Sequence, residues 1–138
     1  IVEAGIFAKD ELAAQVLQRN AEYLIRIKIR HNDNMPSAIV SFVIKDAKGT
    51  SLCGTNTLFQ NASMSYKQAG DVDVVTFRQR MRLNPGEYLL SVGSQELAPD
   101  GYVVHDLRID HLAFQVVGSE SRHGIFDPES VITWDTLR

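Results

Sequence analysis

The stretch GTSLCGTNT holds Gly49 and Gly54 at the glycine spacing of a phosphate-binding loop, with the chain's only cysteine, Cys53, between them. A phosphate loop needs a lysine and then Ser or Thr after its second glycine, and a following helix whose first amides face the anion. Thr55 and Asn56 follow Gly54 instead, so no nucleotide cradle is expected. Cys53 as a nucleophile requires a nearby base from among His31, His105, His111 and His123. The plainer reading makes it a small apolar strand residue beside Leu52. The histidines lack metal-ligand spacing, although His105-Asp106 and Asp110-His111 are adjacent pairs; polar residues at strand ends are expected there, and no metal. Glu87, Glu96, Asp100 and Asp106 include no pair singled out for glycoside cleavage. No catalytic residue and no cofactor are assigned.

The elements that must position these residues show a period of two. Residues 23–31 (YLIRIKIRH) put Ile25, Ile27 and Ile29 on one side and Leu24, Arg26, Lys28 and Arg30 on the other. Residues 75–83 (VTFRQRMRL) put Val75, Phe77, Met81 and Leu83 inward and Thr76, Arg78, Arg80 and Arg82 outward. Residues 38–45 are apolar on both faces and suit a central strand; 46–49 read as a turn and 50–57 as the returning strand. Residues 87–95 turn Tyr88, Leu90 and Val92 inward, and 111–117 turn Leu112, Phe114 and Val116 inward. Short outer strands are expected at 2–7, 14–18 and 131–134. Residues 10–19 form either a helix capped by Asp10 or an edge strand with a turn. The fold class is therefore all-β: an antiparallel, immunoglobulin-like sandwich of eight to nine strands. In LNPGEY, Pro85-Gly86 makes a turn, and Tyr88 can fold its hydroxyl back onto turn backbone, as in a tyrosine corner.

The 138 residues suit one domain, 1–138, and an apolar share of 44% with 22% charged residues is ordinary for a globular chain. A net charge of -3 argues against nucleic acid as a partner. No apolar run reaches the ~18 residues of a membrane span, so direct membrane insertion is not expected. The chain opens in strand-like sequence without methionine, and we read it as a fragment of a longer protein.

Two faces offer binding chemistry. If strands 23–31 and 75–83 are neighbours, Arg26, Lys28, Arg30, Arg78, Arg80 and Arg82 share one outer face that suits an anionic group such as phosphate or an acidic sugar. The alternative is a solvated face interleaved with carboxylates, or protection of a sheet edge. The other sheet presents Ser41, Val43, Ser91, Gly93, Ala113 and Gln115. That shallow floor suits a sugar chain, with Gln95, Glu96, Tyr102 or His105 as walls, or equally another protein surface.

The strand into FVIKDAKGTSLCGTNT, the LNPGEYLLSVG hairpin, a polar loop leading to DHLAFQVVGS and the ending GIFDPESVITW together resemble the C-terminal carbohydrate-binding domain of Wzt-type proteins over about residues 2–135. Those proteins are the ATP-binding subunits of ABC transporters that export O-antigen polysaccharide. The resemblance implies a non-catalytic module joined to a nucleotide-binding domain absent from this chain. It implies a cytoplasmic place at the inner face of the bacterial inner membrane, with the transporter's membrane subunit as partner. The ligand it implies is the modified non-reducing terminus of the finished polysaccharide, so that binding couples chain termination to export. It also implies a homodimer that exchanges a C-terminal strand. The residues themselves offer Val131, Ile132 and Trp134 as that strand, added to a partner's sheet edge or paired within the chain. The candidate carbohydrate contacts are Arg78, Arg80, Arg82, Gln95, Tyr102 and His105. A structural or protein-interaction sandwich is the rival reading.

Overall fold

The computed structural model describes residues 1–62, 66–118 and 123–137. Eight strands run in order: β1 (Glu3–Ala8), β2 (Val16–Gln18), β3 (Glu22–Arg30), β4 (Ala38–Asp46), β5 (Ser51–Asn56), β6 (Val72–Arg80), β7 (Gly86–Ala98) and β8 (Gly101–Val117). They form a three-stranded sheet, β1-β3-β6, and a five-stranded sheet, β2-β8-β7-β4-β5. All pairings are antiparallel except β2 with β8. The chain is a two-layer β-sandwich, as the alternation predicted.

The core is the meeting of the two inner faces. Ile25, Ile27 and Ile29 of β3 face Val40, Phe42 and Ile44 of β4, Leu90 and Val92 of β7, and Phe114 and Val116 of β8. Each such side chain, fully buried, stabilises by roughly 1.5–3 kcal/mol before the entropy of ordering it is subtracted. Phe42 and Phe77 join the layers edge-to-face, with ring centroids 4.9 Å apart.

Turn chemistry fixes the connections. Between β4 and β5 the Asp46 carboxylate accepts the amides of Lys48 and Thr50, both at 2.9 Å, and Gly49 supplies a φ of +92°. Between β6 and β7 the Tyr88 hydroxyl donates to the Asn84 carbonyl, the expected tyrosine corner.

Residues 10–19 take the edge-strand alternative, a turn followed by the short edge strand β2, because Leu17 is the buried position of a three-residue strand and its neighbours face out. Three expectations change. The expected polar loop before residue 111 is a β-ribbon in which β7 and β8 stay paired out to Ala98 and Gly101. Polar side chains there alternate with Leu97, Tyr102, Val104 and Leu107, a pattern a ribbon tolerates on either face. His105-Asp106 and Asp110-His111 consequently lie inside β8 rather than at strand ends. Residues 131–134 form no strand in the isolated chain: 127–137 lack regular structure, and no sheet edge of this copy receives them. Arg138, the last residue of that tail, lies outside the described residues.

Candidate glycan-binding surface

The two groups of expected contact residues lie on different sheets. β3 and β6 are neighbours, as expected, so the six basic residues do share one outer face. The register separates them, however. Arg26, Lys28 and Arg30 stand opposite Thr76, Val74 and Val72, whereas Arg78 and Arg80 stand opposite Leu24 and Glu22. The result is one run of cations on each strand, the two meeting only diagonally at Arg26 and Arg78.

Most of the arginines are already engaged. Arg78 donates to Glu22 at 2.5 Å, and that hydrogen bond holds the Glu22 carboxyl below its ordinary value. Arg82 pairs with Glu129 and donates to the Asn20 side chain at 2.7 Å. Arg26 pairs with Glu11 at 2.9 Å while its guanidinium lies 5.2 Å from the centre of the Phe7 ring. Among the described residues Arg80 donates only to a main-chain carbonyl, that of Asn20, at 3.2 Å. This face follows the interleaved, solvated alternative for three of its six cations.

Gln95, Tyr102 and His105 lie on the β7–β8 ribbon. Gln95 stands opposite Val104 and Leu97 opposite Tyr102, so Gln95 and Tyr102 share the outward face of the five-stranded sheet. His105 is the extra residue where the register shifts, and its Nε2 lies 3.1 Å from Glu96 Oε2. Glu96 follows Gln95 and points to the opposite face, so His105 is turned away from Gln95 and Tyr102.

The outward face holds a depression of about 450 Å3 over β4 and β5, bounded by Ser41, Val43, Gly54, Asn56, Phe59 and Gln95. Each part of GTNT has a role in building it. A side chain at Gly54 would place its first carbon 2.4 Å from the Phe42 carbonyl, so only glycine lets β5 approach β4 this closely. Thr57 is buried and accepts the Val40 amide at 3.1 Å, anchoring the end of β5. Asn56 accepts the Phe59 amide at 2.8 Å, closing a turn that leaves the Phe59 ring 70% exposed at the rim. Thr55 accepts from the Gln60 side chain at 3.1 Å. On β7, opposite Val43, Ser91 Oγ accepts the Asp110 amide at 2.9 Å. Reading the sequence for chemistry missed Phe59; the available signal was an aromatic inside the otherwise polar turn NTLFQN.

Among the described residues nothing activates Cys53. Its thiol is pushed up by desolvation, the direction opposite to that of a nucleophile, and no histidine hydrogen-bonds it among the described residues. Among the described residues no group of three or more His, Cys, Asp or Glu could hold a metal ion.

The comparisons bear on this surface only through the family. The family model for the Wzt C-terminal domain matches residues 1–128. A crystal structure of the C-terminal domain of Wzt superposes with a TM-score of 0.88 at 26% identity, covering 96% of this chain and 81% of that one. A CARDB domain from Pyrococcus furiosus, at 18% identity, covers 83% of this chain and 88% of that one with a TM-score of 0.42, too low to carry an argument. Comparison with the curated proteins gives no match. The model match spans nearly the whole chain, and the superposition includes both sheets. The chain belongs to the Wzt C-terminal domain family of O-antigen ABC transporters.

Proposed function

We propose that this chain is a non-catalytic glycan-binding module that takes the modified non-reducing end of an O-antigen polysaccharide on the outward face of its five-stranded sheet. The observation that carries the reading is the depression beside Phe59. An exposed aromatic ring at the rim of a small-residue floor can stack on the apolar face of a pyranose, while Ser41, Asn56 and Gln95 offer hydroxyl and amide partners. Tyr102, on the same face along the ribbon, extends the surface for a further residue of the chain. His105, paired with Glu96 on the other face, would act only by rotating away from that partner.

A second reading applies if the terminal cap is anionic. Arg80 donates only to a carbonyl among the described residues, so it keeps a guanidinium for a phosphate or carboxylate, flanked by Arg78 and Arg82. That site would lie on the other sheet from Phe59.

In the longer protein, binding of a finished chain would be coupled to ATP hydrolysis in a separate nucleotide-binding domain and to the membrane subunit, at the cytoplasmic face of the inner membrane. The active form is a homodimer in which Val131, Ile132 and Trp134 are exchanged between copies. Calorimetric titration with the capped terminal oligosaccharide of the parent organism, and with the same oligosaccharide uncapped, tests the reading. Heat with the capped ligand alone supports terminus recognition. Equal heat with both leaves a glycan binder without end specificity, and no heat at millimolar ligand with binding to a partner protein favours an interaction domain.

A further inference from the structure

Past the depression, the outward face of the five-stranded sheet turns apolar. Gln95, which bounds the depression, stands opposite Val104, with Leu97 opposite Tyr102 and Gly93 opposite Leu107. Residues directly opposite in an antiparallel pair share a face, as do residues two apart on one strand. Leu97, Tyr102, Val104 and Leu107 therefore form one row, and all four side chains are exposed. The row itself carries no charge. Glu96 and Asp106 stand opposite Val103 and Ser94 on the other face, where Glu96 meets His105.

Gly93 joins this row to the depression. It stands between Leu107 on β8 and Ser41 on β4. A first side-chain carbon at Gly93 would lie 3.4 Å from Leu107 Cδ1 and 3.0 Å from Ser41 Oγ. Without one, the leucine reaches across β7 to the serine hydroxyl that bounds the depression. The surface beside Phe59 thus passes directly from hydroxyl and amide groups to aliphatic carbon, with Gln95 bordering both.

A glycan laid along this surface meets two chemistries. At the depression its hydroxyls have Ser41, Asn56 and Gln95 as partners. Over Val104 and Leu107 a hydroxymethyl group would lose water and gain no hydrogen bond, which is unfavourable. A methyl group on the same ring carbon gives up no hydrogen bond and covers aliphatic surface. Resting on the glycan-binding reading above, we propose that the row is a second subsite beside the one at Phe59, and that it selects 6-deoxyhexoses, whose methyl group replaces the hydroxymethyl group. The unit nearest Phe59 is held by stacking and hydrogen bonds, and the next by its methyl group against Val104 and Leu107. A line of four side chains falls far short of the roughly 20–30 residues a side of a stable protein interface, whereas it suits one or two sugar units.

Titration calorimetry of the full chain with matched trisaccharides tests the subsite: D-mannose, D-galactose and D-glucose, each against its 6-deoxy counterpart in the same linkage. In at least one pair the 6-deoxy member should bind about 3- to 10-fold more tightly, the contribution of one methyl group set against aliphatic surface. Val104→Thr and Leu107→Asn place polar groups under that methyl and should each remove the difference, whereas Phe59→Ala should weaken both members of the pair alike. Both substituted positions in the row are exposed, so the sandwich should keep its stability, which a urea titration checks. Equal affinities within every pair, or a preference that survives both substitutions, overturn the subsite and leave the glycan reading standing. Heat from the parent organism's capped oligosaccharide with none from the six trisaccharides does the same. No heat from any of the seven removes the glycan reading itself. Self-association by sedimentation that Leu107→Asn abolishes overturns the subsite and gives the row to a second copy.

Discussion

Tyr88 is hydrogen-bonded to Asn84, and Asn84 is hydrogen-bonded to the segment that precedes the C-terminal tail. The Tyr88 hydroxyl donates to the Asn84 carbonyl at 2.5 Å, and the Asn84 side chain in turn donates to the carbonyls of His123 and Gly124 at 3.2 and 3.0 Å. Arg19 donates to the same Asn84 carboxamide and pairs with Asp127. One buried asparagine therefore connects the corner between the sheets to the segment that launches the C-terminal tail.

Removing the Tyr88 hydroxyl should leave the Asn84 carbonyl without that partner in a buried site. Tyr88→Phe is expected to lower unfolding stability by about 1–3 kcal/mol with little change in the denaturant slope, measured by urea titration.

Asn84→Ala should act further away. It frees the carbonyls of His123 and Gly124 and removes one of the two partners of Arg19, so the segment 123–127 keeps the Leu83–Phe126 bridge but loses its side-chain hold on Asn84. Faster proteolytic cleavage within 123–137, with the sandwich surviving as a trimmed product, is the expected result. Unchanged cleavage would show that the Leu83–Phe126 bridge suffices alone.

Gly54→Ala should disturb the glycan surface by pushing β5 off β4, since the added carbon would stand 2.4 Å from the Phe42 carbonyl. Overpacking of this kind typically costs about 1–3 kcal/mol. Amide exchange in β5 should rise more than in β3.

Phe59→Ala should weaken glycan binding about 2- to 10-fold by titration calorimetry, the range an aromatic contact supplies, without loss of stability. Arg78→Ala should change it little, because Glu22 already holds that guanidinium. For an anionic cap, Arg80→Ala should weaken binding, and so should Arg82→Ala if that side chain is a ligand contact.

Asp73 should impose an acid dependence on stability. Burial raises its carboxyl, but hydrogen bonds from His31 at 2.9 Å and Lys67 at 3.2 Å outweigh that and hold it below its ordinary value. A carboxyl whose pKa is lower folded than unfolded stabilises above the unfolded value, about 3.9, and loses that contribution as pH falls through the folded value. Urea midpoints should therefore decline below about pH 4 in the parent, and Asp73→Asn should flatten that part of the profile.

The strands were legible because a half-buried strand must alternate: Ile25, Ile27 and Ile29 against Arg26, Lys28 and Arg30 leaves no other regular reading. The tyrosine corner was legible because Pro85-Gly86 and Tyr88 are local in sequence, and the family because its landmarks are ordered along the chain. Register was not legible. Alternation says which residues share a face but not how far one strand slides past another, and that slide splits the six cations and brings Glu22 to Arg78. The ribbon was also hidden, since pairing of Leu97 with Tyr102 depends on the partner strand and not on either residue's own preference. Phe59 becomes a rim residue only once Asn56 closes its turn. Local chemistry and periodicity set the elements of this sandwich and its family; its binding surface and the direction of its tail depend on which strands meet, and at what offset, which only the tertiary structure decides.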